Sequence, residues 1–209
     1  MGFSKVGLRQ KYRGHNWEAP YVRHEVPLLD KDMRAVIKRY EAGEPVTRNE
    51  LPEASAVYDA KCFAKQKPLS RAGTCYIAHE PLADLLSRFD MGLGGVTPYT
   101  IYENDETTPY GENWSLLGLG AQKRSFLPLQ SRTVETLVAP TDARAGLYSV
   151  RYQPTDDDFA CSAVALDGAD MWAEVGLHRA FFYSAALGAA LIEAGYGKTF
   201  GLHRVRIED

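Results

Sequence analysis

Cysteine is scarce in this chain of 209 residues, and its spacing excludes two kinds of site. The three cysteines, Cys62, Cys75 and Cys161, stand far apart and form no Cys-x-x-Cys pair. An odd, widely spaced set is neither a disulfide framework nor a structural zinc site, and it is typical of a reducing compartment. The five histidines are equally scattered, so the sequence predicts no metal and no cofactor.

Long apolar runs are also missing. No stretch approaches the roughly 18 apolar residues that a membrane-spanning helix needs. The first six residues, Met1–Val6, lack the apolar segment of a signal peptide. From these absences we expect a cytoplasmic protein that has no membrane partner.

An excess of positive charge is absent as well. The 24 basic and 27 acidic side chains give a formal net charge of −3, whereas nucleic-acid-binding domains are usually basic, so we expect no nucleic-acid partner. Residues 1–104 carry 15 basic and 13 acidic side chains, and residues 105–209 carry 9 and 14. The acidic second half favours a basic protein partner.

Turn-forming and aromatic residues are abundant. The 11 prolines, 18 glycines and 12 tyrosines favour many strands and turns over a helical bundle. Four basic side chains and three glycines precede the first acid, Glu18. They predict a basic, flexible N-terminal arm over residues 1–20, for which a functional clamp is the other interpretation. The length predicts a single α+β domain over residues 21–209.

Apolar periodicity places the main helices. Residues recurring at i, i+3, i+4 and i+7 predict helices over 30–42 and 81–89. A stretch that is apolar on almost all sides predicts a buried helix over 185–194, with Ser184 as its N-cap. A short run of aromatic and apolar residues predicts a strand over 58–63.

Two strand–helix–strand segments, 74–102 and 181–207, look alike. A shift of 105 positions aligns two leucines and one glycine between them. An internal duplication and two independent uses of a common unit are both compatible with so few matches. The segments predict the class α+β, with a mixed, mostly antiparallel sheet and a few packed helices.

One pair of residues could carry acid–base chemistry. Glu174 and His178 are four residues apart, which on a helix would place both side chains on one face. Gly176 lies between them, so a simple surface pair is the other interpretation. No nucleophile elbow, phosphate-binding loop or calcium loop accompanies them. A hydrolase-like enzyme of unknown type that uses this region is therefore an alternative hypothesis for function.

Five residues are candidates for binding a partner. Asp156, Asp157 and Asp158 form the most acidic point of the acidic half, and they could dock a basic protein or form a solvated turn. Trp114 and Trp172 are the largest apolar side chains of that half. Tryptophan is enriched at interface hot spots, but it is also buried on average, so core packing is the other interpretation.

Two stretches carry an order of motifs that resembles a known family. The first contains Phe89-Asp90-Met91-Gly92-Leu93-Gly94-Gly95, Pro98, Tyr102-Glu103, Asp105, Thr108-Pro109, Gly111-Glu112, Gly120, Lys123, Phe126-Leu127-Pro128 and Gln130-Ser131. The second contains Asp170-Met171-Trp172, an aromatic strand, Ser184, an apolar helix, Gly195 and a closing strand. In order and spacing they resemble the bacterial immunity proteins of polymorphic toxin systems, the family numbered eleven.

The resemblance implies a small cytoplasmic α+β protein with no catalytic activity. Such a protein would bind and neutralise a cognate toxin domain encoded by a neighbouring gene. The resemblance carries over no catalytic residue. It implies structural roles for Gly92, Gly120, Gly195 and Pro128.

Overall fold

The computed structural model describes most of the chain as helices, strands and ordered loops. The described residues are 8–11, 31–57, 60–65, 67–72, 75–137, 146–150, 154–178 and 180–208. They form two compact units. The first unit draws on Met1–Glu41, Pro45–Arg88 and Gly94–Gly118, and the second on Ala42–Glu44, Phe89–Leu93 and Leu119–Asp209.

The first unit is built on one six-stranded sheet. Its strands are β1 (Leu8–Lys11), β2 (Ala54–Val57), β3 (Leu69–Ala72), β4 (Cys75–His79), β5 (Gly95–Tyr102) and β6 (Trp114–Gly118). They lie in the order β1-β2-β5-β6-β4-β3. Only the β2–β5 pair is parallel. The predicted class, α+β with a mixed and mostly antiparallel sheet, is confirmed.

The described part of the first unit contains three α-helices and one 3-10 helix. They are α1 (Lys31–Glu41), the 3-10 helix (Arg48–Glu50), α2 (Ala60–Ala64) and α3 (Glu80–Leu86). Tyr40 of α1 is buried, and its hydroxyl donates to the Leu117 carbonyl at 2.7 Å and accepts from the Tyr76 amide at 2.9 Å. In α3 the predicted apolar stripe buries Leu82 and Leu86 fully. These contacts fix α1 and α3 as packed elements of the unit.

Pro98 lies inside β5, a strand with neighbours on both sides. The β2 register begins only at Thr100, whereas Pro98 is opposite Ser115 of β6. Proline has no amide hydrogen to donate to a ladder. Pro98 therefore lies in the part of β5 where the pairing with β2 has not yet begun.

The strand predicted over 58–63 is wrong for residues 60–63, which belong to α2, and residues 58–59 lie outside the described residues. The strand lies earlier, at β2. All four residues of β2 are buried, although Ala-Ser-Ala-Val is a weak strand sequence. Its position between β1 and β5 decides the conformation, because strand preference depends on packing more than on the residues themselves.

The second unit contains small sheets and short helices. Its strands are β7 (Gln122–Lys123), β8 (Val134–Thr136), β9 (Tyr148–Val150), β10 (Ala160–Cys161), β11 (Met171–Glu174), β12 (Phe181–Tyr183) and β13 (Arg206–Ile207). They pair as β12-β11-β7, β8-β9 and β10-β13. A 3-10 helix (Ala163–Leu166) and helices α4 (Ala185–Glu193) and α5 (Gly197–Phe200) complete it. One buried hydrophobic cluster of this unit consists of Phe126, Phe159, Cys161, Ala165, Trp172, Leu177 and Phe182.

Helix α4 confirms its predicted cap but not its predicted burial. The Ser184 hydroxyl accepts from the Leu187 amide at 3.1 Å, as expected of an N-cap. Leu187 and Leu191 are fully buried. The prediction that most sides are buried is wrong, because the opposite side is exposed to solvent: Ala185, Ala186, Ala189 and Ile192.

The two strand–helix–strand segments exist but differ in topology. Strands β4 and β5 both border β6, whereas β12 and β13 lie in different sheets. Gly92 has a φ of +66°, whereas its aligned partner Gly197 begins α5. These differences favour two independent uses of a common unit over duplication.

The remaining expectations concern the N-terminal arm, the number of domains and membrane crossing. Of the predicted arm over 1–20, residues 8–11 form β1, which pairs with β2, and the remainder lies outside the described residues. The flexible arm and the single domain over 21–209 stay predictions. In the described part of the chain, no helix combines the length and the apolar character that crossing a membrane requires.

Candidate functional site

The second unit contains a buried carboxylate surrounded by donors. Glu174 ends β11 with 3% of its surface exposed. Its carboxylate accepts from the Ser125 amide at 3.0 Å, the Phe126 amide at 3.1 Å and the Trp172 indole at 2.9 Å. The Ser125 hydroxyl is a fourth donor. Such a satisfied carboxylate joins β11 to the 125–126 segment.

A lysine lies over the face of the Trp172 indole. The ammonium of Lys123 is 3.6 Å from the centroid of the Trp172 ring and donates to the Ala165 carbonyl at 3.0 Å. Burial lowers the pKa of Lys123. Nearby carboxylates oppose that shift, and they are Glu174, Asp167, Asp170 and Asp90.

These contacts place Glu174 and His178 in different surroundings. Glu174 lies in a strand and is buried, whereas His178 lies in the following turn and is exposed. The common helix face that the enzyme hypothesis needs is therefore not formed by residues 174–178. Burial also raises the pKa of the neighbouring Cys161 thiol to about 11, so this thiol is protonated near neutral pH. The geometry favours a structural role for this cluster.

A second polar cluster, which we call the Asp170 node, joins three segments. It consists of Asp90, Asp170 and Ser184. The Asp90 amide donates to Asp170 Oδ2 at 2.9 Å, and the Asp170 amide donates to the Asp90 carbonyl at 2.6 Å. The Ser184 hydroxyl donates to Asp170 Oδ1 at 2.5 Å. The 89–93 loop, the 167–170 turn and the start of α4 thus meet at one aspartate.

The Asp170 node accounts for residues that carry the family resemblance. Asp90, Gly92, Asp170 and Ser184 belong to the quoted motifs. The Asp90 side chain accepts from the Gly92 amide at 2.7 Å. A β-carbon on Gly92 would lie 2.8 Å from the Gly120 carbonyl oxygen. These contacts give Asp90, Gly92, Asp170 and Ser184 a place in the local structure, and the roles that the resemblance implies stay predictions.

The predicted acidic turn pairs its charges within the chain. Arg204 donates from Nε and Nη2 to the two carboxylate oxygens of Asp157, at 2.9 and 2.6 Å. This pairing lowers the pKa of Asp157 and raises that of Arg204. The Asp156 carboxylate accepts from the Arg204 amide at 2.9 Å. This ion pair lies at the surface, with 69% of the Arg204 side chain and 38% of the Asp157 side chain exposed, and it compensates the charge of Asp157.

Asp158 is the least accessible of the three aspartates. It is 7% exposed. Its carboxylate accepts from the amide and hydroxyl of Thr155, at 2.8 and 2.9 Å, which lowers its pKa. Its role here is to close the turn. Partner binding by Asp156–Asp158 stays a prediction, and Asp156 is the member with the most exposed side chain, at 60%.

Both candidate tryptophans lie in cores. Trp114 is 3% exposed and Trp172 is 4% exposed. Burial of this extent does not fit the expectation that either ring anchors a partner at the surface. Core packing, the alternative interpretation from sequence, describes both.

Sequence reasoning missed the exposed apolar side chains. All six large exposed hydrophobic residues lie in the second unit, among the described residues: Leu93 (76%), Leu129 (95%), Val164 (53%), Leu166 (71%), Ile192 (63%) and Ile207 (42%). A local signal existed for two of them. Leu93 lies between glycines and Leu129 follows a proline, and turn residues of this kind lie at the surface.

Neither a metal nor a known relative identifies this site. Within the described ranges, no group of three or more His, Cys, Asp or Glu side chains could hold a metal ion. No protein-family model matches the sequence, and no curated protein matches it significantly.

Proposed function

We propose that this chain is an immunity protein, which binds and neutralises a cognate bacterial toxin domain in the cytoplasm without catalysis. The observation that supports a binding role is the set of large apolar side chains exposed on the second unit. Exposed apolar surface of this kind is used by proteins to bind other proteins. The residues that resemble the immunity family supply the kind of partner.

The buried polar groups support binding over catalysis. The Glu174 carboxylate accepts hydrogen bonds from four internal donors, and Cys161 is fully buried. A catalytic group must reach its substrate. Glu174 and Cys161 do not meet this requirement. The exposed groups of this unit include large apolar side chains, which a stoichiometric inhibitor can use for contact.

The test is an inhibition titration against the toxin domain encoded in the adjacent reading frame. We expect toxin activity to fall linearly with added protein and to vanish near equimolar amounts, and we expect the two proteins to co-purify. A toxin domain from an unrelated system is the matched control and should keep its activity. Complete inhibition at a small fraction of equimolar protein would indicate an enzyme instead. No binding and no protection would overturn the proposal.

A further inference from the structure

Two buried polar atoms of the first unit lie close together in the chain without a hydrogen-bond partner. They are the indole nitrogen of Trp114 and Oε2 of Glu112, and neither atom bonds to any described residue. Trp114 is 3% exposed. Buried polar groups nearly always have a partner in a folded protein, and a buried indole N–H usually finds an acceptor. An unpaired donor and an unpaired acceptor therefore mark this segment as a candidate binding site.

Aromatic contacts gather these residues into one cluster. The Phe63 ring lies 4.8 Å from the Trp114 ring and 5.3 Å from the Tyr110 ring, centroid to centroid. Burial raises the pKa of Tyr110, and the nearby charge of Glu112 raises it further. Glu112 and Trp114 are two residues apart, so their Cα atoms are at most about 7 Å apart. We call Phe63, Tyr110, Glu112 and Trp114 the Trp114 cluster.

An ion pair connects the Trp114 cluster to the solvent. Lys67 Nζ is 2.5 Å from Glu112 Oε1, and 36% of the Lys67 side chain and 30% of the Glu112 side chain are exposed. The pair neutralises Glu112 but uses only one of its two oxygens. A small ligand can approach the other oxygen from this partly exposed side.

Other charges near the cluster balance each other. Two exposed acids and two exposed bases lie beside it: Glu80, Glu103, Lys61 and Lys65. They add no net charge to the neutral Lys67–Glu112 pair. His79, whose ring lies 5.4 Å from that of Trp114, adds charge only when it is protonated. The site therefore favours a neutral ligand over an ion, because neither sign of charge is in excess.

A primary carboxamide matches the two unpaired atoms. Its carbonyl oxygen can accept from the Trp114 N–H, and its amide nitrogen can donate to Glu112 Oε2. The oxygen and nitrogen of the group are about 2.2 Å apart, and a hydrogen bond adds about 2.9 Å at each end. The group can thus bridge two protein atoms up to about 8 Å apart, which exceeds the Cα separation of Glu112 and Trp114.

We propose that Glu112 and Trp114 bind a neutral primary carboxamide, which accepts from the Trp114 N–H and donates to Glu112 Oε2. The carboxamide belongs either to a small molecule or to an Asn or Gln side chain of a peptide. This site lies in the first unit and does not depend on the toxin-binding function, which was proposed from the second unit.

The test follows the indole N–H signals of isotope-labelled protein by NMR while benzamide is added. The experiment is done at a pH of about 8, above the range in which histidine is protonated. We expect the Trp114 signal to move with a Kd on the order of 1 mM, as for a small fragment. The Trp172 indole, which already donates to Glu174, is the control in the same molecule and should not move.

Two molecules of nearly the same shape test the chemistry of the site. Benzoate has no donor for Glu112, and benzamidine has no acceptor for the Trp114 N–H. Each should bind at least about threefold more weakly than benzamide, the effect of one lost hydrogen bond. Tighter binding of benzamidine would make this a cation site, and equal binding of benzoate would remove Glu112 from it. Either result overturns the proposal.

A short peptide that contains glutamine distinguishes the two sources of the carboxamide. Binding tighter than that of benzamide at the same indole assigns the site to a peptide side chain, and weaker binding assigns it to a small molecule. Both results support the proposed chemistry.

A pair of variants completes the test, with affinity measured from the signals of benzamide itself. Trp114→Phe keeps an aromatic ring but loses the N–H, so Kd should rise about threefold to tenfold. Trp172→Phe is the matched control and should leave Kd unchanged. The comparison of benzamide with benzoate on the parent protein needs neither variant to fold. If benzamide does not move the Trp114 signal, water alone pairs the two buried atoms and the inference is wrong.

Discussion

The two units bury a tryptophan in different ways. In the first unit, the Trp114 ring packs against Phe63 with centroids 4.8 Å apart and against His79 at 5.4 Å. Its indole nitrogen has no hydrogen-bond partner among the described residues. In the second unit, the Trp172 indole donates a hydrogen bond to Glu174, and the Lys123 ammonium lies over its ring. The surroundings of Trp114 are therefore aromatic and without a hydrogen bond to the indole, whereas Trp172 belongs to a polar network around Glu174.

This difference follows from the sheets. The sheet of the first unit has six strands, whereas each sheet of the second unit has only two or three. Such small sheets are marginal by themselves. Hydrogen bonds to the buried Glu174 carboxylate and to the partly buried Asp170 carboxylate join β11 and the turn before it to neighbouring segments.

The largest test of this comparison removes the carboxylate at the centre of the polar network. Glu174→Ala leaves the Ser125, Phe126 and Trp172 donors buried without an acceptor. We expect a loss of about 3–5 kcal/mol in the free energy of unfolding, measured by urea denaturation. Glu174→Gln keeps one acceptor oxygen and should lose less. A loss under about 1 kcal/mol for the alanine variant would mean that the network does not hold the unit.

The next test asks how much apolar packing the second unit has. Leu191→Ala should cost about 2–5 kcal/mol, the range for a fully buried leucine. Ile192→Ala, one residue later on the exposed side of α4, is the control and should stay within about 0.5 kcal/mol of the parent. Equal losses at both positions would mean that α4 is covered on both sides.

Helix α4 also shows how far the sequence alone could lead. The serine before an apolar run correctly predicted the cap and the helix. Because apolar residues occupy every side of α4, no amphipathic pattern distinguishes the buried Leu187 and Leu191 from the exposed Ile192. Only the packing of the unit decides which side is covered, and this information is not local.

The candidate site was harder to predict for the same reason. Asp156–Asp158 is a conspicuous acidic turn in the sequence, but Arg204, which pairs with Asp157, lies 47 residues away. The buried partner of Ser125 is 49 residues away. The run of three aspartates therefore overestimates the charge that the turn offers to a partner. Charge also gives no information about which leucines are exposed.

A third test compares the two tryptophans directly. Trp172→Phe loses a hydrogen bond to a carboxylate and part of the contact with Lys123, whereas Trp114→Phe loses no hydrogen bond seen in the described residues. Both changes leave a similar cavity. The Trp172 variant should therefore lose about 2 kcal/mol more than the Trp114 variant, measured by denaturant unfolding at neutral pH. A larger loss for Trp114→Phe would reverse the contrast between the units.

The smallest effect concerns acid. In the first unit, the Asp105 carboxylate accepts from the hydroxyl and amide of Thr108 and from the Thr107 amide, which lowers its pKa to about 2. In the second unit, the Arg204 hydrogen bonds lower the pKa of Asp157 from its ordinary value of 3.8. A carboxyl group with a lowered folded-state pKa contributes stability above its unfolded pKa and loses it as the pH falls through the folded pKa. Both contributions should therefore be complete at neutral pH and decline below about pH 4.

Carboxyl titration by NMR separates the two causes. Arg204→Gln removes the cation and one of the donors, so the pKa of Asp157 should rise toward 3.8, while that of Asp105 should stay at about 2 because its donors are all local. The Asp157 amide, which donates to the Arg204 carbonyl at 2.9 Å, should exchange with solvent faster in the variant as this link weakens. An unchanged pKa for Asp157 in Arg204→Gln would mean that the turn does not depend on its distant partner. The charge of Asp157 would then be free to contribute to partner binding by the Asp156–Asp158 turn.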